Sequence, residues 1–295
     1  MDARSDALDA DWLSACRRAG DGVRALLRSR PTSAERVLET GTTGRGGDRT
    51  LLIDEAAEDV VFAELERLYA EGHRFCAVSE ERGVVSYGDD RIRVVIDPID
   101  GSLNAKRGLT HHALSIAVAD GPTMADVRFG YVLDIGTDEE WWARAGEGAF
   151  LDGDRIVAAP ERRTDDGRLE LVAVESASTR PLAAAIDDLV PIVRRLRAIG
   201  SIAVSLCQLA ATRVDGMVSL WRCRGVDAAA GQLIVRESGG LVAFPAMPAP
   251  LAAPLDVTAS SAVVAARTPE ALAALIGVPQ AVQHGRRSPA ANRAS

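Results

Sequence analysis

Lysine is almost missing from this chain. Lys106 is the only lysine among 295 residues, so arginine supplies nearly all of the basic charge. A P-loop needs Gly-Lys followed by Ser or Thr, and the absence of that motif excludes this way of binding nucleotide phosphates. The balance of 34 basic against 42 acidic residues gives a net charge of −8. Because nucleic-acid-binding surfaces are usually basic, we expect no nucleic-acid partner.

Clustered cysteine and histidine ligands are also missing. The four cysteines are far apart and form no Cys-x-x-Cys pair, so neither a zinc site nor a disulfide framework is expected. The adjacent His111 and His112 have no third nitrogen or sulfur ligand at a usable spacing, which argues against a transition metal. We therefore predict reduced and mostly buried thiols at Cys16, Cys76, Cys207 and Cys223.

Long apolar runs are absent as well. None reaches the roughly 20 residues that a membrane-spanning helix needs. The first residues, Met1-Asp2-Ala3-Arg4, are polar and do not resemble a secretion signal. We therefore expect no membrane partner and a cytoplasmic location. The glycine-rich residues 41–47 lack the Gly-x-Gly-x-x-Gly spacing and a preceding strand, which argues against a dinucleotide-binding protein.

The hydrophobic pattern predicts a mixture of helices and strands. Amphipathic helices are expected at residues 7–27 and 54–70, with a glycine-rich polar loop at 41–49 between them. Trp141 and Trp142 are adjacent in a predicted strand, so they face opposite sides and one is expected in the core. Strands are predicted at 75–78, 92–96, 113–119, 127–133 and 139–145, followed by a turn-rich connection at 146–153.

In the second half of the chain, strands alternate with helices. The strands are expected at 169–174, 217–221, 240–244 and 262–266, and the helices at 181–195, 201–213, 228–238 and 269–275. This alternation predicts an α/β (α+β) fold of stacked sheets and helices. We divide the chain into an N-terminal α+β part (1–150), a C-terminal α/β part (151–279) and a disordered tail (280–295).

The most informative segment is a strand that ends in two carboxylates. The apolar residues 94–96 run directly into Asp97-Pro98-Ile99-Asp100-Gly101-Ser102. Pro98 stops the strand, and two acids that converge in the turn repel each other unless a hard cation lies between them. Gly101 lets the backbone approach an anion closely, and the N–H groups that open the next helix form a phosphate cradle. The alternative is an Asx-type turn with a helix cap.

Acidic residues at other element ends are candidates for the same site. Glu80 follows the predicted strand at 75–78, where it is either a metal ligand beside Asp97 or part of a solvated loop. Asp54 and Asp227 each open a predicted helix, where an Asp can equally serve as the N-terminal cap. Gly200-Ser201 opens another helix and offers a second set of phosphate-facing N–H groups.

The ordered set of these motifs resembles the inositol monophosphatase superfamily. The resemblance is carried by residues 97–104, by Glu80-Glu81, and by Asp227-x-Ala229-x-Gly231 before residues 237–240. Residues 41–54 and 104–108 are most similar to the archaeal-type inositol monophosphatase/fructose-1,6-bisphosphatase branch. The resemblance implies a layered αβαβα sandwich and a homodimer.

The resemblance also implies a Mg²⁺-dependent phosphatase with two or three ions. It assigns a first ion to Glu80, Asp97 and the carbonyl of Ile99. It assigns a second ion to Asp97, Asp100 and Asp227. In such a site one ion lowers the pKa of the attacking water, and the other stabilises the leaving alkoxide.

The remaining roles that the resemblance implies are catalytic and substrate-binding. Asp54 and Ser102, together with Glu80, are expected to orient the water that attacks phosphorus. Gly101, Ser102 and Ser201 are expected to contact the phosphate group. No covalent phosphoenzyme is needed.

The expected substrate is a small polyol or sugar phosphate, namely inositol monophosphate, fructose 1,6-bisphosphate or both. Inositol-specific relatives carry a substrate-binding glutamate near residues 219–224, and this chain has none there. Arg222 and Arg224 are candidates for holding a second phosphate, because arginine binds oxyanions bidentately. The alternative is a pair of solvated arginines.

Two other functions are compatible with the same motifs. The first is a phosphatase that acts on histidinol phosphate or on 3′-phosphoadenosine 5′-phosphate. The non-enzyme alternative is a degenerate, phosphate-binding regulatory relative. Activity is favoured because all of the expected acids are present, at Asp54, Glu80, Asp97, Asp100 and Asp227.

Overall fold

The computed structural model describes residues 7–30, 39–43, 49–176 and 178–279. The predicted tail at 280–295 and the centre of the predicted loop at 41–49 lie outside these residues. Within the described chain, no helix combines the length and the apolar character that crossing a membrane requires.

Two long helices form the first layer. Helix α1 (Trp12–Ser29) starts where Asp11 Oδ1 accepts a hydrogen bond from the Ser14 N–H at 3.1 Å. This N-terminal cap explains why the helix begins at Trp12 and not at residue 7, as the hydrophobic spacing had predicted. Helix α2 (Leu52–Ala70) packs beside it. Both helices bury one apolar face against the sheet beneath them.

An eight-stranded sheet forms the second layer, and a separate hairpin joins β1 (Glu39–Thr43) and β2 (Arg49–Leu51). The strands of the large sheet are β3 (Cys76–Ser79), β4 (Gly83–Ser86), β5 (Arg93–Asp100), β6 (Ala113–Ala119), β7 (Val127–Asp134), β8 (Glu139–Arg144), β9 (Gly148–Leu151) and β10 (Asp154–Arg155). Their order in the sheet is β10-β9-β8-β7-β6-β5-β3-β4. Neighbouring strands are antiparallel except β3 and β5, which are parallel.

Three further helices position the site. The short helix α3 (Ser102–Arg107) follows β5 directly. Helices α5 (Ile202–Ala210) and α6 (Gly225–Glu237) form the middle layer, in the core between the two sheets. The α6 backbone lies so close to β7 that a Cβ at Gly130 would be 2.8 Å from the Ala230 carbonyl oxygen. Only glycine allows this approach.

A five-stranded sheet and two outer helices complete the molecule. The elements are β11 (Leu169–Glu175), α4 (Thr179–Leu189), β12 (Val193–Arg197), β13 (Gly216–Ser219), β14 (Leu241–Ala243), β15 (Val264–Ala266) and α7 (Pro269–Leu275). The sheet order is β12-β11-β13-β15-β14, and a third core cluster joins the sheet to the outer helices. The five-layer αβαβα sandwich is therefore confirmed.

Three of the predicted elements were wrong over part of their length. The helix expected at 181–195 ends at Leu189, and β12 follows as an edge strand parallel to β11. Pro191 has no N–H to continue a helix, and edge strands tolerate charged residues such as those at 194–197. The turn-rich connection at 146–153 contains strand β9, and the described ends of the 41–49 loop pair as β1 and β2.

Candidate active site

Parallel pairing of two strands brings acidic residues together. β3 and β5 run in the same direction with Ser79 opposite Ile96, so their carboxyl ends lie at the same edge of the sheet. Glu80 follows the end of β3, and Asp97 is the next residue after Ile96 on β5. In the sheet, β3 lies directly beside β5, and β4 lies on the far side of β3. This strand order places Glu80 near Asp97, as the sequence predicted.

The turn after Asp97 has the Asx-type geometry that was the alternative to a metal site. The Ile99 N–H donates to Asp97 Oδ1 at 3.1 Å, which is an Asx-type turn. The register with β6 shifts between Asp97 and Asp100, so the strand is irregular where the carboxylates occur. Asp97 and Asp100 are both buried, at 2% and 9% exposure. Buried carboxylates are rarely only turn residues, because ionised groups are costly to desolvate.

Asp100 is held by the start of α5. The Ser201 hydroxyl and the Ala203 N–H both donate to Asp100 Oδ2, each at 2.6 Å. The hydroxyl of Ser201 also accepts from the Val204 N–H at 3.1 Å, and the Gly200 N–H donates to Glu175 Oε2 at 2.9 Å. The N–H groups of Gly200, Ala203 and Val204 therefore have protein acceptors and are not available to a phosphate group. For the other N–H groups at this helix start, the predicted phosphate cradle stays a prediction. The phosphate contact of Ser201 itself stays a prediction.

Asp227 lies in the first turn of α6, which begins at Gly225 and not at residue 228 as predicted. Its Oδ2 accepts from the Arg224 N–H at 2.8 Å, so Asp227 does cap the helix. Its Oδ1 accepts from Arg224 Nε at 3.0 Å. Asp227 is thus the third residue of a capping box whose N-cap is Arg224. Its role as a metal ligand stays a prediction.

Arg224 joins two of the predicted metal ligands. Its guanidinium forms one ion pair with Glu80 and a second with Asp227 Oδ1 at 3.0 Å. The side chain is only 19% exposed. The sequence predicted that Arg224 holds a substrate phosphate, whereas in this structure it neutralises carboxylates. Arg222, the other predicted substrate contact, is exposed.

The acidic cluster carries a large electrostatic cost when it is ionised. Burial raises the pKa of Glu80 to about 7, and the guanidinium of Arg224 opposes that rise. Burial raises the pKa of Asp97 well above its ordinary value, and repulsion from Glu80 and Asp100 adds to the effect. Burial and the charge of Asp227 raise the pKa of Asp100 to about 7. A cation among these groups would therefore stabilise their charged forms.

The donor set fits a hard divalent cation. It consists of carboxylate oxygens, which Mg²⁺ prefers to nitrogen or sulfur. Among the described residues, no three His, Cys, Asp or Glu side chains already stand at metal-binding geometry. The Arg224 guanidinium lies between Glu80 and Asp227 and supplies positive charge to these two acids.

The predicted water-orienting residues lie at helix starts. Asp54 is half-buried in the first turn of α2, which begins two residues earlier, at Leu52. Ser102 is the first residue of α3. The preceding Gly101 has φ of 83°, and a Cβ there would lie 2.9 Å from the carbonyl oxygens of Gly200 and His111. Gly101 is thus required by backbone conformation and by close packing.

A cavity of about 790 Å³ adjoins the acids. Its lining includes Asp100, Asp227 and Arg224, together with the apolar Leu103 and the half-exposed Trp221. A cavity of this size with a few polar groups suits a small molecule.

Sequence reasoning missed the function of one buried glutamate, Glu58. The Ser79 hydroxyl donates to Glu58 Oε1, the N–H groups of Glu81 and Arg82 approach the same oxygen at 3.3 Å, and the Arg82 guanidinium pairs with Oε2 at 3.2 Å. Glu58 therefore fixes the turn that carries Glu80. The signal was weak: an acid among the core positions of a predicted helix.

A second buried glutamate that sequence reasoning missed is Glu175, at the end of β11. It accepts from the N–H groups of Ile199 and Gly200 at 3.0 and 2.9 Å, and from the Ser205 hydroxyl at 2.6 Å. Glu175 thereby holds the loop that leads to Ser201. Nothing local in the sequence distinguishes it from an ordinary strand-end glutamate.

Comparison with known proteins agrees with this architecture. A model of the inositol monophosphatase family matches residues 10–283. The chain is 35% identical over 210 residues to the fructose-1,6-bisphosphatase/inositol-1-monophosphatase of Methanothermobacter thermautotrophicus, covering 68% of this chain and 72% of that protein. It is 30% identical over 233 residues to the Nus factor SuhB of Vibrio cholerae, covering 78% of this chain and 82% of that one.

A solved structure supports the fold independently. The IMPase of Thermotoga maritima superposes with a TM-score of 0.70 over 92% of this chain and 100% of that chain, at 24% identity. At this level of identity, the likeness concerns the fold alone. The family model matches nearly the whole length of the chain, and the acidic motifs and the layered architecture agree with it. The chain belongs to the inositol monophosphatase family.

Proposed function

We propose that the protein is a Mg²⁺-dependent phosphomonoesterase that hydrolyses a small polyol or sugar phosphate through a metal-activated water. The observation that carries the proposal is the convergence of buried carboxylates from both halves of the chain beside a 790 Å³ cavity. Relatives named fructose-1,6-bisphosphatase/inositol-1-monophosphatase and inositol-1-monophosphatase support the reaction class. Inositol monophosphate and fructose 1,6-bisphosphate are therefore the first substrates to test.

The metal would be held by Glu80, Asp97, Asp100, Asp227 and the carbonyl of Ile99. When bound, Mg²⁺ lowers the pKa of a coordinated water and neutralises charge on the phosphate and the leaving oxygen. The donor chemistry supports this assignment, because every proposed ligand is an oxygen.

The chain's own groups keep these ligands in place. Ser201 and the Ala203 N–H orient Asp100 through its Oδ2, and Glu58 orients the turn of Glu80. Asp54 and Ser102 are proposed to orient the attacking water. Gly101 and Ser102 are proposed to contact the phosphate at the start of α3.

The apolar side of the cavity would exclude bulk water from the reacting groups. Leu103 and Trp221 line the same cavity as Asp100 and Asp227, and exclusion of water would strengthen electrostatic interactions there. Histidinol phosphate and 3′-phosphoadenosine 5′-phosphate stay alternative substrates. A homodimer and a cytoplasmic location stay predictions.

The proposal is tested by measuring kcat/KM for these four phosphates with and without Mg²⁺. We expect Mg²⁺-dependent release of phosphate from at least one of them. Asp100→Asn should abolish turnover while the fold is kept, because the amide oxygen can still accept from Ser201 and Ala203. The exposed Asp154→Asn is the control and should retain full activity.

Two results would contradict the proposal. One is the absence of Mg²⁺-dependent turnover on every substrate. The other is retention by Asp100→Asn of more than about a tenth of the wild-type rate, because loss of a carboxylate ligand should remove most of the transition-state stabilisation.

A further inference from the structure

The guanidinium of Arg224 lies where the proposed metal site needs positive charge. It pairs with Glu80, from the turn after β3, and with Asp227, from the first turn of α6. These two acids come from different halves of the chain, so Arg224 joins the two halves through a salt bridge. Within residues 49–176 and 178–279, the structure pairs both acids with this one guanidinium.

The arrangement is specific and well buried. Arg224 Nε and one terminal nitrogen both approach Asp227 Oδ1 at 3.0 Å, and the other terminal nitrogen contacts Glu80. The side chains of Arg224, Glu80 and Asp227 are 19%, 18% and 10% exposed. An ion pair this far from solvent is weakly screened, and removal of one partner leaves charges uncompensated.

A divalent ion and this guanidinium would draw on the same two carboxylates, because Arg224 pairs with both Glu80 and Asp227. Two positive groups that share these acids repel each other. Binding of a metal by Glu80 and Asp227 would therefore weaken the ion pairs of Arg224. The adjoining cavity, which Arg224 already lines, offers space for the displaced side chain.

We propose that Arg224 is an internal counter-cation that occupies part of the metal site in the metal-free protein and competes with the divalent ion for Glu80 and Asp227. The proposal rests on the metal site of the proposed function and adds to it. Arg224 keeps the acids together while no metal is bound, and it lowers the affinity with which the metal is then taken up.

The test is calorimetric titration of the EDTA-treated full-length protein with Mg²⁺ in the absence of substrate. Arg224→Met removes the charge and keeps the length of the side chain, and Arg224→Lys keeps the charge. The exposed Arg197→Met is the matched control, because it changes the net charge equally at a position outside the acidic cluster. We expect Arg224→Met to bind Mg²⁺ about tenfold more tightly than the wild type, with Arg224→Lys and Arg197→Met nearly unchanged.

A second measurement is an NMR titration of the wild-type protein with Mg²⁺. The Nε–H NMR signal of Arg224, assigned by its loss in Arg224→Lys, should move as Mg²⁺ is added, with the same midpoint as the calorimetric titration. A signal that does not move on metal saturation would overturn the proposal even if Arg224→Met failed to fold. Equal Mg²⁺ affinity of the wild type and Arg224→Met would also overturn it.

The outcomes separate this inference from the proposed function. If the wild type binds Mg²⁺ and hydrolyses phosphates but Arg224→Met has unchanged affinity, the counter-cation role is wrong and the proposed function stands. If the wild type binds no Mg²⁺ at millimolar concentration, the proposed function itself is wrong, and the inference is overturned with it.

Discussion

At the scale of single residues, the buried acid Glu58 supports one of the proposed metal ligands through hydrogen bonds. Glu58 is 1% exposed and receives hydrogen bonds from Ser79 and from the N–H groups of Glu81 and Arg82. Burial raises the pKa of Glu58, and these hydrogen bonds oppose that rise. The turn that presents Glu80 therefore depends on a buried carboxylate that is not among the residues lining the described cavity.

Glu58→Ala should destabilise the protein and weaken the metal site. Three donors and the Arg82 guanidinium lose their acceptor, and an unsatisfied buried donor costs about 1–3 kcal/mol. We expect the free energy of unfolding in urea to fall by about 2 kcal/mol, and Mg²⁺ affinity to fall as well. The exposed Glu66→Ala on the same helix is the control and should change stability by less than about 0.5 kcal/mol. Equal effects of the two variants would disprove the role of Glu58.

At the scale of elements, the sequence predicts most of the local structure. Helix α7 and strand β6 were predicted with their observed bounds, because both have clear apolar periodicity and clear stop signals. Trp141 is buried, as expected for one of the two adjacent tryptophans. β12 was missed because its arginine-rich sequence resembles an exposed helix end and its strand pairing is with the distant β11.

Some residues of the candidate site could be predicted from local sequence, and others could not. Asp97 and Asp100 could be recognised from a local motif, whereas their neighbours are chosen by long-range pairing. Glu80 lies beside them because β3 pairs with β5, although β4 lies between these strands in the sequence. No local sequence pattern specifies this pairing. The ion pairs of Arg224 are equally invisible in the sequence, because they depend on how α6 meets the edge of the first sheet.

Gly101 packs against residues that are distant in the sequence. Its substitution, compared with that of another glycine, separates the cost of backbone strain from the cost of a steric clash. Gly101→Ala must adopt φ of 83° and places a Cβ 2.9 Å from the Gly200 and His111 carbonyl oxygens. Gly146 has φ of 82°, and no atom of the described residues lies within 4 Å of where its Cβ would be, so Gly146→Ala measures the backbone strain alone. We expect about 1 kcal/mol of destabilisation for Gly146→Ala, and at least twice that for Gly101→Ala.

The measurement is equilibrium unfolding in urea, together with kcat/KM on the best substrate. Gly101→Ala should also lose activity, because its shifted backbone carries Ser102 and faces the loop before α5. Gly146→Ala should keep its activity, since it lies in the turn before β9. Equal stability losses in the two variants would show that the contact with Gly200 and His111 is not tight.

At the scale of the whole molecule, the layers leave no thiol accessible. Three of the four cysteines lie in separate elements and Cys223 lies in the loop before α6, and all four are buried and unpaired with one another. The layered packing therefore protects thiols throughout the structure, as the scattered cysteine spacing had predicted. Burial raises the pKa of every one of these thiols: Cys16, Cys76, Cys207 and Cys223.

Thiol reactivity consequently reports on global unfolding. A raised pKa lowers the thiolate fraction at any pH below it, and only the thiolate attacks a disulfide reagent. At pH 8 the native protein should react with 5,5′-dithiobis(2-nitrobenzoate) at the rate of unfolding, and all four thiols should react at once in urea. Ser29→Cys, at an exposed position on α1, is the positive control: it should react rapidly and faster still at pH 9. A native wild-type thiol that reacts as fast as this control would show that one layer opens without the others.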